Sequence, residues 1–339
     1  MTVLTNTTLT FGIGSGGGIR EDLEDTIWDL FPEDTYLVSN LDKIDANAPT
    51  HEWLGQTLAA AAANIGVEGD DASFTSLTSP SRFGNYCQIL SKTFLVSDTA
   101  ESTRRAGRGS EVARGAMVKM REIKRDLEYA MCRNSIGTAG GATTGRSMAG
   151  IETWISGNLN NAAVGTTITA STAVRSTTTA DTCTTVPTTS GVPGTAPTDG
   201  TTTAALTATN LNLALQGAWS NGGNPTTILC GATQKTAIDG FTSIATRTVN
   251  VDAATQSPII GAANVYVSDY GRHTVVLHRY MRSSVVLCLD TDYWAIAFLR
   301  RPMARGLART GDAEKYQIIM EGTLVARNWQ ASSKVVALT

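Results

Sequence analysis

The sequence predicts an α+β fold, and three observations carry that expectation. Ser110 to Asn134 reads as one long amphipathic helix. The segment before it, Asp45 to Asp98, has the character of two extended strands. The half of the chain after it is largely β with a few short helices.

In the long helix, apolar residues recur at Val112, Ala116, Met120, Ile123, Leu127 and Met131, in steps of four and three. That spacing makes one stripe on a helix of period 3.6. Lys119, Arg121, Glu122, Lys124, Arg125, Asp126 and Glu128 are expected on the opposite, wet face. Ser110 suits the N-cap, and Gly137 stands where a left-handed residue is wanted past the C-terminal end. At ~1.5 Å per residue the helix is a rod of roughly 37 Å. Gly115 inside it lowers helix propensity by about 1 kcal/mol relative to Ala, so close packing or a bend is expected there.

Residues 1–44 form an N-terminal arm, Thr-rich and then glycine-rich over Gly12–Gly18. Within it Arg20–Phe31 makes a short amphipathic helix that Pro32 stops. Ile27 and Trp28 give this helix a hydrophobic edge suited to docking. Residues 45–98 read as an extended loop built on a long β-hairpin. Its strands are expected at His51–Leu54 and Tyr86–Val96, with a turn cluster at Gly66, Glu68, Gly69, Asp70 and Asp71. Leu58–Ala63 favours helix on propensity alone. A hairpin this long, with few large apolar residues in its middle, needs a partner surface.

Glycine-rich connections follow the long helix, then a Trp154–Ile155 anchor. Residues 158–203, dominated by Thr, Ala, Ser and Gly, read as an insertion or surface loop. The next helix is expected at Thr209–Trp219, with Leu211, Leu215 and Trp219 in one stripe. A turn at Asn221–Pro225 leads to a buried strand, Thr226–Cys230, and a short helix, Thr233–Phe241. Val265–Ser268 and Thr274–Arg279 form a hairpin through Asp269-Tyr270-Gly271. Further strands are expected at Ser284–Leu289, Tyr293–Leu299 and Tyr316–Trp329.

Composition narrows the function. The 339 residues carry 17% charged side chains and a net charge of −3, a weakly charged surface that suits a protein covered by neighbours. That balance argues against a nucleic-acid binder held by counter-ion release. Five scattered cysteines without a CxxC pair fit reduced thiols rather than a disulfide frame or zinc site. No apolar run reaches the ~18 residues of a membrane span.

Chemistry-bearing motifs fall short one by one. The glycine run lacks the Gly-Lys-Ser/Thr of a phosphate loop. His51-Glu52 opens like a zinc-protease motif, but Gly55 occupies the second histidine's place. Glu68, Asp70 and Asp71 lack calcium-loop spacing, and read as an acidic loop tip that meets a basic neighbour. Arg104, Arg105, Arg108 and Arg114 lie before and within the long helix, and Arg300, Arg301, Arg305 and Arg309 near the C-terminus. Both groups suit bidentate pairing with carboxylates between subunits, alongside Glu52, Trp53 and Arg82 on the loop. No catalytic constellation, cofactor or metal site is expected.

Arm, long loop, long helix, α/β lobe and returning strands resemble, in that order, the Hong Kong 97-type capsid fold of tailed phages. Particular strings resemble one family of tailed-phage major capsid proteins: Thr50-His51-Glu52-Trp53, Gly84-Asn85-Tyr86-Cys87-Gln88-Ile89, Glu122-Ile123-Lys124-Arg125-Asp126-Leu127-Glu128, Gly222-Gly223-Asn224-Pro225, Val265-Tyr266-Val267-Ser268-Asp269, Tyr293-Trp294-Ala295 and Thr310-Gly311-Asp312-Ala313-Glu314-Lys315. The resemblance implies an extended loop over an adjacent subunit and a peripheral domain from 99–157 and 284–339. It implies an axial domain at 204–283. The implied function is a coat protein assembling as pentamers and hexamers, in the host cytoplasm, into a virion head around double-stranded DNA. Separate scaffolding, portal and decoration proteins are the implied partners. Lys–Asn cross-linking, which the type member performs through a loop lysine, is not expected, because Asp45–Ser91 holds no lysine. A nanocompartment shell of the same fold, or a Thr-rich surface protein or adhesin, are the alternatives.

Overall fold

The long helix forms because its sequence both starts and buries it. In a computed structural model the chain is described at residues 35–56, 58–59, 61–71, 74, 76–77, 79–103, 109–155, 173–175, 191–197, 203–241 and 264–339. The expected arm helix with Ile27 and Trp28, the glycine run, Arg104, Arg105, Arg108 and most of 158–203 lie outside these residues.

In chain order the elements are α1 (Tyr36–Asn40), β1 (Asp42–Asp45), β2 (Thr50–Gly55), β3 (Ser81–Tyr86), β4 (Gln88–Ser97), α2 (Asp98–Ser102), α3 (Glu111–Met131) and α4 (Ile151–Trp154). Then come β5 (Ala173–Arg175), α5 (Ala208–Ser220), β6 (Thr227–Cys230), α6 (Ala232–Asp239), β7 (Val265–Ser268) and β8 (Gly271–Leu277). The chain closes with β9 (Val286–Leu289), β10 (Trp294–Gly306), β11 (Ala313–Ala326) and β12 (Ser333–Val336).

Ser110 caps α3 as expected, its hydroxyl accepting from Ala113 N at 3.1 Å. The Glu101 carboxylate accepts from Glu111 N at 2.9 Å, satisfying a second free donor of the first turn. Ile123, Leu127 and Met131 are buried. At the other end the expectation fails, since the helix stops at Met131 with Cys132 still right-handed. Gly137 does not adopt a positive φ. A Cβ there would instead lie 2.2 Å from Val192 Cγ1, so that glycine admits a neighbouring chain segment.

Three sheets organise the described residues. A four-stranded sheet runs β1-β10-β11-β4, a six-stranded sheet β5-β12-β9-β6-β8-β7, and β2 pairs with β3. α3 lies across β4 and β11. Alternate residues of β6 and β9 face opposite ways. Leu229, Leu287 and Leu289 join the core beneath α3, whereas Ile228, Cys230, Val286 and Cys288 meet α5 and α6. Both faces of these strands are therefore dry, which is why they read as continuous apolar runs.

Several boundaries differ from the expectation. The loop's second strand is β3, and β4 turns away to pair with β11 in the register Gln88↔Gly322 to Ser97↔Ala313. The split falls at buried Cys87, whose N–H is taken by Pro49 O at 2.8 Å. It follows from Leu90, Phe94 and Val96, which pack towards the core while alternate residues stay exposed. Leu58, Ala59 and Ala61–Ala63 are not helical, because six residues with no face to bury fall below the nucleation threshold. β9 and β12, read with the peripheral strands, are hydrogen-bonded into the six-stranded sheet with β6, β8 and β7. Ala173–Arg175, from the Thr-rich stretch, runs parallel to β12. Trp219, expected in the buried stripe of α5, is 60% exposed and stands 6.1 Å from the Tyr270 ring.

Glu128 overturns the largest expectation. Read on the wet face of α3, it is fully buried. Leu37 N and Val38 N donate to its two carboxylate oxygens at 2.7 and 2.8 Å. His278 Nε2 donates to Oε1 at 2.7 Å, while His278 Nδ1 accepts from Tyr280 N at 3.3 Å. α1 has no side-chain cap of its own, so a residue ninety positions away supplies the anion its first turn wants.

Glu128→Ala, which leaves two amides and an imidazole N–H buried without an acceptor, is expected to cost about 3–5 kcal/mol. Glu128→Gln keeps one acceptor oxygen and should cost less. Urea midpoints of the unassembled chain decide this, and equal midpoints for wild type and Glu128→Ala would refute it.

Gly115 sits where α3 meets β4. A Cβ there would come within 2.8 Å of the Phe94 ring, itself stacked on Tyr316 at 5.3 Å. Gly115→Val is therefore expected to lose about 1–3 kcal/mol through overpacking. Adding Phe94→Leu should return part of the loss, measured in the same urea titration.

Candidate inter-subunit interface

The loop expected to meet a neighbour is anchored at its base and bare beyond. β2 and β3 pair from Thr50↔Tyr86 to Gly55↔Ser81. Trp53 packs inward, 5.3 Å from Trp154 and against the cluster of Cys87, Ala295 and Ala297. It serves its own chain first. Glu52 and Arg82, both read as contacts to a neighbour, face each other across the hairpin at 3.6 Å with largely exposed side chains. Such a pair contributes about 0–1 kcal/mol. His51 beside them is held below its usual pKa by burial and by the Arg327 charge.

Beyond Gly55 no helix or strand forms until Ser81 among the described residues. The one backbone hydrogen bond described there is Asp70 N to Val67 O at 3.2 Å, closing a turn around Gly69 at φ +83°. Glu68, Asp70 and Asp71 are exposed at this tip. So are Leu58, Phe74 and Leu77, each 93–94% accessible.

The C-terminal arginines divide by role. Arg300 pairs with buried Glu321 at 2.8 Å, and Arg146 holds the same carboxylate. Arg301 reaches Asp45 at 2.8 Å, tying β1 to β10. Arg309 pairs with Asp98 and Glu314. Arg305 stays exposed and without an ion pair among the described residues. Lys92 is not on the loop but beneath α3, 2.8 Å from Asp126.

Two clusters resemble reactive sites and are structural by geometry. Glu128, Cys132 and His278 bring three ligand types within 4.8 Å. Glu128 and His278 are engaged in the hydrogen bonds described above, and the Cys132 sulfur lies 3.9 Å from both ring nitrogens rather than in line with one. The thiol is pushed well above its usual pKa by burial and by the Glu128 and Glu152 charges. Ser268 Oγ donates to His273 Nε2 at 2.7 Å, and His273 Nδ1 donates to Pro225 O at 2.6 Å. With the ring fully buried and Ser268 also accepting from Tyr270 N, the pair ties the β7–β8 hairpin to the turn before β6.

A family model described as SU10 major capsid protein matches residues 3–339. The chain belongs to that family. Over 100 residues it is 39% identical to the major capsid protein of Escherichia phage Phieco32, a stretch covering 29% of this chain and 28% of that relative. Its fold resembles a chain of the cyanophage A-1(L) capsid asymmetric unit, with a TM-score of 0.62 at 14% identity over 98% of this chain and 100% of that one. It also resembles a phage G structure containing major capsid and decoration proteins, with a TM-score of 0.54 at 11% identity over the full length of both. The Hong Kong 97-type capsid fold read from the sequence is thus the fold of this capsid chain.

Sequence reasoning found the loop and its acidic tip. It missed the clasp at Glu128 because one glutamate among many helical charges carries no periodic signal distinct from its neighbours.

Burial pushes the thiols of Cys87 and Cys230 up to about 11 and that of Cys288 up to about 12. Iodoacetamide at pH 8 is expected to leave these three and Cys132 unmodified in the native capsid chain and to alkylate all four in urea, because the thiolate is the reacting form. Peptide mass spectrometry reads the result, and native alkylation at any of them contradicts it.

Proposed function

We propose that this chain is the coat subunit of a tailed double-stranded DNA phage head, assembling through pentamers and hexamers into a closed icosahedral shell. Its role is structural rather than enzymatic. It works in the virion after assembly in the host cytoplasm, with separate scaffolding, portal and decoration proteins as partners.

One observation carries the reading most directly: the 56–80 stretch exposes Leu58, Ile65, Val67, Phe74 and Leu77. Burying each such side chain stabilises by about 1.5–3 kcal/mol, a gain available only against another surface. Obligate assemblies supply such surfaces. We assign residues 45–87 to the loop over a neighbour and α3 with the four-stranded sheet to the peripheral part. The lobe of α5, α6 and β6–β8 takes the axial part. Hinges for shell expansion are placed at Asn47–Pro49, Asp98–Gly107 and Gly115.

Expression of the chain, alone and with its scaffolding protein, followed by negative-stain electron microscopy and light scattering, tests this. Closed shells, tubes, or five- and six-fold rings are expected. Nuclease-treated phage particles should retain an A260/A280 ratio dominated by nucleic acid. A monodisperse monomer under both expression conditions would overturn the proposal.

A further inference from the structure

The segment that returns from the Thr-rich stretch is bound at both of its ends. Gly191 pairs in parallel with Phe83, its N–H donating to Arg82 O at 2.7 Å and its carbonyl accepting from Gly84 N at 3.1 Å. It therefore occupies the edge of β3 away from β2. A φ of +78° at Gly191 is a conformation that glycine adopts at no steric cost. Further along, Pro193 O accepts from Gly137 N at 2.9 Å, and Pro197 O accepts from Asn134 Nδ2 at 2.6 Å. Val192 fills the space where Gly137 has no side chain, and Pro193 and Pro197 are buried. Two prolines within seven residues keep such a segment extended without a sheet around it.

The foot of the hairpin is pinned independently of this segment. Trp53 packs on Trp154, and Asn85 Nδ2 donates to Ala149 O and Leu324 O at 3.1 and 2.9 Å. Gly191 extends the hold outward, to Gly84 and Arg82. We propose that residues 191–197 are a strap that fixes the direction in which the loop leaves the body of the subunit. One end grips β3, and the other is made fast to the connection after α3. Asn134, which anchors that far end, has its Oδ1 3.0 Å from Thr153 Oγ1. Thr153 neighbours Trp154 in α4, so one short helix stands behind the grip on β2 and the grip on β3. The Thr-rich stretch, expected as an insertion or surface loop, thus contributes a working part of the loop's support. The proposal rests on the shell reading above and adds what sets the loop's angle, and with it the spacing between neighbouring subunits.

The test displaces the strap without touching the loop. In Gly137→Ala the new Cβ would lie 2.2 Å from Val192 Cγ1, and the strap must lift. Peptide-resolved hydrogen exchange on the unassembled full chain is expected to quicken roughly tenfold over 81–86 and 191–197, with 123–131 unchanged. Adding Val192→Ala should bring the exchange back towards wild type. Asn134→Asp, which replaces the amide donor to Pro197 O by an oxygen of the same shape, is an independent variant expected to act in the same direction. Unchanged exchange over 81–86 in both variants, or an equal rise over 123–131, would overturn the strap. Electron microscopy of assembled particles then reads the consequence. Gly137→Ala particles are expected to be mixed in diameter, and the double variant uniform again. Faster exchange with uniform particles of wild-type diameter would overturn the control of spacing while leaving the strap. Failure of the wild-type chain to form any particle would overturn the shell reading instead.

Discussion

The architecture depends on one buried carboxylate. Glu128 carries its charge into the interior of α3, where Leu37 N, Val38 N and His278 Nε2 surround it. Taking an ion out of water costs several kcal/mol unless every lone pair is engaged, and three donors engage this one. Those donors come from the entry to the described chain, from the connection after β8, and from nowhere near α3 in sequence. A single group thus fixes where α1 docks, and with it the start of β1 and the alignment of Asp42 to Asp45 with Ala295 to Phe298.

Around that clasp the two larger sheets share one core instead of owning separate ones. Leu229, Leu287, Leu289 and Val336 from the six-stranded sheet join Ile123, Leu127, Ile318 and Leu324 from the helix and four-stranded sheet. Glu152 is a second buried carboxylate held by partners distant in sequence. Arg282 forks onto buried Glu152, and Lys334 donates to Glu152 O at 2.7 Å. Burial at these points trades raw stability for a fixed arrangement of segments.

What could be read from residues alone was what period and capping encode. Ser110, the Ile123–Leu127–Met131 stripe, the Asp269-Tyr270-Gly271 turn and the apolar run Ile228–Cys230 each state their structure locally, and each appears where expected. The misreadings share a physical cause, because all turn on distant partners. Whether Tyr86–Val96 continues a hairpin or joins a sheet depends on β11. Whether Glu128 is wet depends on α1. Trp219 lies in the stripe of α5 by spacing, but that helix is covered only as far as Leu215 and Ala218. The acidic tip was legible as composition.

The irregularity in β10 has a further implication. Its pairing with β11 shifts between Phe298 and Arg300 and again between Arg300 and Met303. Before the first shift, neighbouring side chains alternate between two filled layers, Trp294, Ile296 and Phe298 on one side and Ala295 and Ala297 on the other. There a single inserted or deleted residue would turn the strand inside out. Past the shifts the phase has already been reset, and the outer residues answer to solvent on at least one side. Changes in length are therefore cheap in the outer half of this hairpin and prohibitive in the inner half. The strand divides into a segment whose spelling is fixed and one that is free to drift as partners change.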